Sequence, residues 1–426
     1  MSREMKYSGI PWIGKVPKSW TIELIGNQVK SVDNPNINGE EDNALQFKMG
    51  TIISKSKGDS KYNPETLEGY NIVDKGVIML NGLNLSFDFI SQRVGLVKEK
   101  GVITSTYLAV KPTQSINSEY LTYLFKSYDN CKAFHGMGRG LRQTLSYGEL
   151  RKHLLIYPIL EEQQKIAEFL DKKCGEVDEM IALQEQIIEE LKAYKQSVIT
   201  EAVTKGLNPT VPMKDSGIDW IGEIPEHWEV KRLKQVLSSP LQYGANESGI
   251  SYQENLPRYV RITDILDNSL RDNIEKQSLT EQQADGYILQ QNDILFARSG
   301  GTVGKSFIFN NKYGRCAFAG YLIKARVNEL MEAKFVYYFT QTTCYDEWKK
   351  QIFIQSTIQN IGADRYSQLQ LAIPTISEQQ SIANYLDKKC GEIDELISIK
   401  QQKIESLKEY KKSIIYEYVT GKKEVV

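Results

Sequence analysis

Two long stretches of this chain occur twice, and that duplication limits what it can fold into more than any other feature. "YSGIPWIGKVPKSW" at 7–20 returns as "DSGIDWIGEIPEHW" at 215–228, an offset of 208 that keeps Ser, Gly, Ile, Trp, Ile, Gly, Pro and Trp. Residues 162–204 return at 378–420, an offset of 216, with 27 of 43 positions identical. Copies this similar adopt one fold, so the molecule is expected to have two equivalent halves. Between the repeated pieces the likeness fades: Trp20 to Glu162 spans 142 positions, Trp228 to Glu378 spans 150, and their polar content differs almost throughout. The order is variable, constant, variable, constant.

The constant segments carry apolar residues at three- and four-residue spacing, as in Ile166, Leu170, Val177, Ile181 and Ile188 and their counterparts Ile382, Leu386, Ile393, Ile397 and Ile404. Glu, Gln and Lys fill the gaps, with no proline until Pro209 in the first copy, which predicts a long amphipathic helix in each half. A 43-residue helix extends about 65 Å, and a single apolar stripe that long needs a partner. The other copy supplies it. An internal twofold predicts two antiparallel coiled-coil helices with a variable domain at each end, and it brings residues 1 to 20 onto the end of the second long helix. Gly175 and Gly391, at matching positions, predict a break in each helix. The domains expected are 1–158, variable; 159–207, first long helix; 208–374, variable; and 375–426, second long helix.

The variable segments read as mixed α/β, or α+β, with a strong strand component. Short apolar runs such as "GVIML", "RVGLV", "STYLAV", "YVRIT", "DILFA", "KSFIF" and "GYLIKARV" are punctuated by Gly, Asn and Asp. A helix is expected in each, around 117–128 and 332–343. Mean hydropathy is -0.41 with 25% charged residues. No window approaches the roughly 18 apolar residues of a membrane span, and "MSREMKYSGI" lacks the apolar core of a signal peptide, so a cytoplasmic chain is expected. The five cysteines form no C-x-x-C pattern and there are only three histidines, which argues against a disulfide framework or a zinc site. With 53 Lys+Arg against 54 Asp+Glu, a nucleic-acid partner would have to be met by local basic patches.

Three stretches come near catalytic motifs. Residues 299–306, "SGGTVGKS", have Ser299 in place of the first glycine of a phosphate-binding loop, and β-prone "FIFNN" follows where a helix should begin. A strand, a glycine-rich turn bearing Arg298 and Lys305, and a second strand is the better account. "FHGMG" at 134–138 spells a methyltransferase fragment, but the chain contains no Pro-Pro to complete the loop that holds a target amine. "EVK" at 229–231 is half of a nuclease metal motif, and its repeat counterpart, Thr21 to Glu23, lacks it. No catalytic set emerges, and a stand-alone ATPase or methyltransferase or a plain structural adaptor are the competing readings.

The openings "SGIPWIGKVPKSW" and "SGIDWIGEIPEHW", the helix starts "EEQQKIAEFLDKKCGEVDEMI" and "SEQQSIANYLDKKCGEIDELI", and "YVRITDI" with "NDILFARSGGTVGKS" resemble the DNA-specificity (S) subunit of Type I restriction-modification systems, over nearly the whole chain. The resemblance implies two target recognition domains, each reading one half of a split double-stranded DNA sequence, joined by helices that set the gap. It implies no catalysis and no cofactor in this chain. Two methylation (M) subunits would bring S-adenosylmethionine and N6-adenine methylation, and two restriction (R) subunits ATP, Mg, translocation and cleavage; no membrane is involved.

Candidate DNA contacts are Lys55, Lys57, Arg139, Arg142 and Gln143 in the first variable segment and Arg298, Lys305, Gln355 and Gln359 in the second, because Arg and Lys read guanine or hold phosphate and Gln reads adenine. Aligning "YNIVDKGVIML" with "YILQQNDILFA" puts Asn81 where Arg298 stands. The repeated Trp12, Trp20, Trp220 and Trp228, each pair flanking a proline, are expected to be packing anchors at a joint that both halves share.

Overall fold

The computed structural model describes residues 3–55, 67–86, 92–141, 143–266, 268–354 and 359–425. It divides into two compact units: Met1–Glu185 with Gln402–Val426, and Gln186–Gln401. Each unit thus holds one variable segment, the start of the long helix that follows it, and the end of the other long helix.

In the first unit a four-stranded antiparallel sheet runs in the order Val29–Ser31, Leu108–Pro112, Ile78–Leu80, Val94–Leu96. Alternation along the strands divides the side chains between two cores. Ile78, Leu80 and Val110 pack with Tyr120, Leu121 and Phe125 of the Ser118–Asn130 helix, while Met79 and Ala109 pack with Leu45, Ile52 and Val73. That helix starts where Asn117, as N-cap, accepts the N–H of Tyr120 at 2.7 Å.

The second unit repeats the sheet with strands Gln242–Tyr243, Leu322–Ala325, Ile294–Ala297 and Ser306–Ile308 in the same order. Ile294, Phe296 and Ile323 face Phe335, Phe339 and Tyr345, whereas Leu295, Phe307 and Leu322 face Val260, Phe309 and Phe318. The helix expected around 332–343 is two, Ala333–Phe339 and Thr343–Ile354, because Thr342 Oγ1 accepts the N–H of Tyr345 at 3.1 Å and starts a new helix. In "YVRIT" the strand stops at Val260, and Asp264 takes the Arg261 N–H at 2.9 Å to close a 3-10 turn.

The long helices are Leu160–Lys205, 46 residues, and Ile376–Val419, 44 residues. Neither breaks at Gly175 or Gly391, contrary to expectation. Both glycines are exposed, and a helix-interior Gly costs only about 1 kcal/mol relative to Ala, which the strong helix formers beside it absorb. Within each unit the two helix portions run antiparallel. In the first, Phe169 and Tyr418 rings lie 4.4 Å apart and Lys411 pairs with Asp178 at 2.6 Å. In the second, Lys195 pairs with Asp394 at 2.7 Å. Asp178 and Asp394, like Lys195 and Lys411, stand 216 positions apart, so one ion pair is built twice.

The joint between each variable segment and its helices is also built twice. Gln163 donates to Pro158 O at 2.9 Å and to Ser115 O at 3.1 Å while accepting from Asn117 N at 2.8 Å. Gln379 makes the same three bonds, to Pro374 O, Leu330 O and from Glu332 N. Trp20 and Trp228 are buried and donate their indole N–H groups to Glu162 and Glu378, so the tryptophans are packing anchors. At the chain ends, Tyr416 Oη donates to Trp12 O at 2.9 Å and Arg3 pairs with Glu424 at 2.7 Å. The expected meeting of the first residues with the end of the second long helix is therefore present inside one unit.

Candidate nucleic-acid interface

Residues 294–309 form an antiparallel hairpin, not a phosphate-binding loop. Ile294 faces Ile308, Phe296 faces Ser306, and Gly300 and Gly304 take positive φ of 76° and 81° to turn the chain. Gly304 N donates to Ala297 O at 2.8 Å, and Tyr345 Oη donates to Gly304 O at 2.8 Å, which pins the turn to the helix layer. No helix follows Ser306. The hollow beside Thr302, Lys305 and Ser306 holds about 20 Å³, against the roughly 300–1,000 Å³ of small-molecule sites. The Phe134 of "FHGMG" is buried against Phe125 and Tyr128, a core contact, and Glu229 and Lys231 of "EVK" pair with each other on a strand. Among the described residues no group of three or more His, Cys, Asp or Glu is placed to hold a metal ion.

The turn presents Arg298 and Lys305. Arg298 is anchored through its backbone, donating to Tyr321 O at 3.1 Å and accepting from Ile361 N at 2.9 Å. Its guanidinium lies 5.0 Å from the centre of the Tyr243 ring, and its Nε finds no hydrogen-bond partner among the described residues. Arg261, Arg315 and Arg326 are tied to Asp264, Glu281 and Asp293, whereas Arg298 and Lys305 make no ion pair among the described residues. Gln359 is exposed beside Asn360, which bridges Ser299 in the turn. Arg298 and Gln359 are thus brought to the same edge, with exposed Lys305 closing the turn.

The first unit places different side chains on the same frame. Asn81 does not stand where Arg298 does, contrary to the sequence alignment: its N–H meets Arg93 O at 2.8 Å as the Ala297 N–H meets Lys305 O at 2.9 Å, so register makes Gly82 the counterpart of Arg298. Leu145 N donates to Gly82 O at 2.9 Å, as Ile361 N donates to Arg298 O. Gln143, 216 positions before Gln359, accepts from Leu85 N and has positive φ of 46°. Arg139 closes a small hairpin with Thr144 and is already held by Glu149 at 3.1 Å. Lys55 lies apart from this cluster, at the far end of the Leu45–Lys48 and Thr51–Ser54 hairpin; the tip of that hairpin, Gly50, touches Gln92 beside the turn, which makes exposed Lys48 the nearer cation. Lys57, Arg142 and Gln355 lie outside the described residues.

Reading along the sequence missed three kinds of residue. Tyr243 is distant from Arg298 in the chain and announces nothing by itself. Gly206 and Gly421 end the long helices at φ of 76° and 68°, and a Cβ on Gly421 would stand 2.4 Å from Pro17 and 3.1 Å from Trp20. Met180, Leu183, Tyr194, Leu396, Ile399 and Tyr410 are apolar residues left exposed on the long helices, and their 216-residue spacing was the available signal.

The family described as the type I restriction modification DNA specificity domain matches residues 94–193 and 225–409. Over 96% of this chain and 94% of its own length, the MjaVIII specificity subunit of a type I restriction enzyme from Methanocaldococcus jannaschii is 24% identical. The EcoBI specificity subunit from Escherichia coli is 33% identical over 132 residues, 30% of this chain and 28% of its own. A chain solved in work on complex assembly and conformational transition of the type I R-M system has the same fold, with a TM-score of 0.72 and 13% identity over 95% of this chain and 99% of that one. The HsdS subunit from Thermoanaerobacter tengcongensis superposes with a TM-score of 0.50 and 14% identity, over 95% and 98%.

The two repeated α/β units with their long helices make this a sequence-reading protein of restriction-modification, and the chain belongs to the type I restriction-modification DNA specificity family. It is a specificity subunit, the non-catalytic component that supplies DNA sequence recognition.

Proposed function

We propose that residues 1–158 and 208–374 are two target recognition domains, each reading one half of a bipartite double-stranded DNA sequence, and that the helices in 159–207 and 375–426 set the number of base pairs between the halves. One observation carries this: the same sheet, turn and following helix recur in both units with Gly82 and Gln143 on one and Arg298 and Gln359 on the other. A shared frame with exchanged side chains at its rim is what two readers of different base sequences require. Arg298 and Gln359 serve as base readers and Lys305 as a phosphate contact; in the first domain Gln143 reads bases, with Arg139, Lys48 and Lys55 as backbone contacts. Arg142, Lys57 and Gln355, which lie outside the described residues, are further candidate DNA contacts by residue type alone.

The duplicated apolar set supports two copies of one partner. Met180, Leu183 and Tyr410 in the first unit and Leu396, Ile399 and Tyr194 in the second are each 43–55% exposed, too regular in spacing for chance. These are the docking positions of two methylation subunits, which carry S-adenosylmethionine; two restriction subunits carry ATP and Mg. The complex works on cytoplasmic DNA.

Methylome sequencing of a host carrying this chain with its methylation subunits tests the reading. A methylated motif in two parts with a fixed gap is expected. An unbroken motif, or methylation with no sequence preference, would overturn it.

A further inference from the structure

We infer that Tyr243 is a positioning residue for DNA readout: its ring holds the Arg298 guanidinium as a preset fork that reads one guanine of the second half-site through N7 and O6. The inference rests on the reading of Arg298 as a base contact.

The geometry has three parts. The Tyr243 ring centre lies 5.0 Å beneath the guanidinium carbon, a distance at which the ring face attracts the cation and restricts its rotation. Tyr243 itself is held at both ends: its backbone pairs with Ile323 in the sheet, and its hydroxyl accepts the N–H of Ala363 at 2.9 Å. Among the described residues the Arg298 guanidinium makes no ion pair, and its Nε is buried without an acceptor, so the two terminal nitrogens are the donors left for a ligand. An arginine that is stacked rather than neutralised loses less freedom when it forms two parallel hydrogen bonds to a base edge.

The other unit acts as an internal control. Register places Asp33 where Tyr243 stands: Ser31 faces Val110, so by counting on, Asp33 faces Leu108, which faces Leu80, two residues before Gly82, the counterpart of Arg298. In the second unit Tyr243 faces Ile323, which faces Phe296, two residues before Arg298. The cap changes in step. The helix Ala363–Ser367 begins at Gly362, which has no side chain to cap it, and the Tyr243 hydroxyl takes the first N–H. At the matching place Ser146 caps Tyr147–Leu150 with its own hydroxyl, accepting from Glu149 N at 3.3 Å. Where the arginine is absent, the aromatic ring is absent and the cap has moved to a serine. Tyr243 therefore combines two tasks that the other unit has no need to combine.

The test uses the complex of the full chain with its methylation subunits, scored by methylome sequencing and by binding to duplexes carrying the methylated motif with each base pair exchanged in turn. Arg298→Ala identifies the guanine position. Tyr243→Phe removes the cap and keeps the ring, and retention of the guanine preference is expected. Tyr243→Ala combined with Gly362→Ser restores a cap without the ring; discrimination at that guanine is expected to fall about tenfold or more, with the rest of the half-site and all of the other half-site unchanged. The inference is overturned if that double variant keeps its guanine preference, or if it loses the whole half-site as a merely structural strand residue would. If Arg298→Ala changes no position at all, the reading of Arg298 as a base contact fails and the inference falls with it.

Discussion

Trp228 donates its indole N–H to Glu378 at 3.2 Å, and Glu378 also meets His227 at 3.1 Å, so one carboxylate in the first turn of the second long helix holds the opening of the second variable segment. Trp20 and Glu162 repeat the bond at 3.3 Å in the other unit. Glu378→Ala leaves a buried N–H without an acceptor and is expected to cost about 1–3 kcal/mol, with Glu378→Gln costing less because the amide oxygen can still accept. Urea unfolding of the two variants checks this; equal stability of both with the parent would show that the bond is dispensable.

Gly421→Ala is expected to be more damaging than Gly206→Ala. Both positions have positive φ, which costs an L-residue roughly 1 kcal/mol, but the added methyl on Gly421 would meet the Pro17 ring at 2.4 Å while that on Gly206 would meet Trp228 and Glu378 at 3.2 Å. Thermal midpoints in the same buffer give the order directly. The reverse order would mean that the joint at Pro17 yields more easily than its packing suggests.

Alkaline pH should destabilise the fold. Burial raises Tyr120, Tyr128, Tyr345 and Tyr366 above the ordinary phenol range, and burial together with the Glu23 hydrogen bond pushes Tyr157 up to about 12. Because the folded values lie above the unfolded one, stability is full below about pH 10 and falls as pH rises further, where the unfolded chain sheds protons that the folded chain keeps. Urea midpoints at about pH 9 and about pH 11.5 should differ, and Tyr157→Phe should narrow the gap. A midpoint that does not move would contradict the burial of these rings.

Lys305→Ala separates a phosphate contact from a nucleotide site. As a phosphate contact, its loss weakens binding to all DNA sequences by a similar factor and lowers the slope of log affinity against log salt by about 1. Nucleotide affinity should be absent before and after the change. Salt titrations of the two proteins on target and random duplexes provide the measurement, and an unchanged slope would remove Lys305 from the interface.

Adding one helical turn at matching places in both long helices should lengthen the gap between half-sites and leave both half-sites as they were. Methylome sequencing reads this out. Persistence of the parental gap would dismiss the helices as the ruler.

Duplication, period and near-miss motifs were all legible along the chain. The 216-residue repeat with its three- and four-residue apolar spacing demanded two long paired helices, and β-prone residues after Ser306 demanded a strand there, since both inferences rest on local periodicity. The helix break expected at Gly175 and Gly391 did not follow, because whether a glycine interrupts a helix depends on its neighbours' propensity and packing.

What sits beside Arg298 was beyond the reach of any local rule. Tyr243, Tyr321 and Gln359 come from three separate stretches, and only strand order and register place the first beneath the guanidinium, the second on its backbone and the third at the rim. The sequence by itself determined that this protein has two matched halves with long helices and unlike heads, because repetition and period are written residue by residue. The tertiary structure alone decided which side chains share an edge, because a sheet joins residues distant in the chain, and a one-residue change of register would turn each of them to the opposite face.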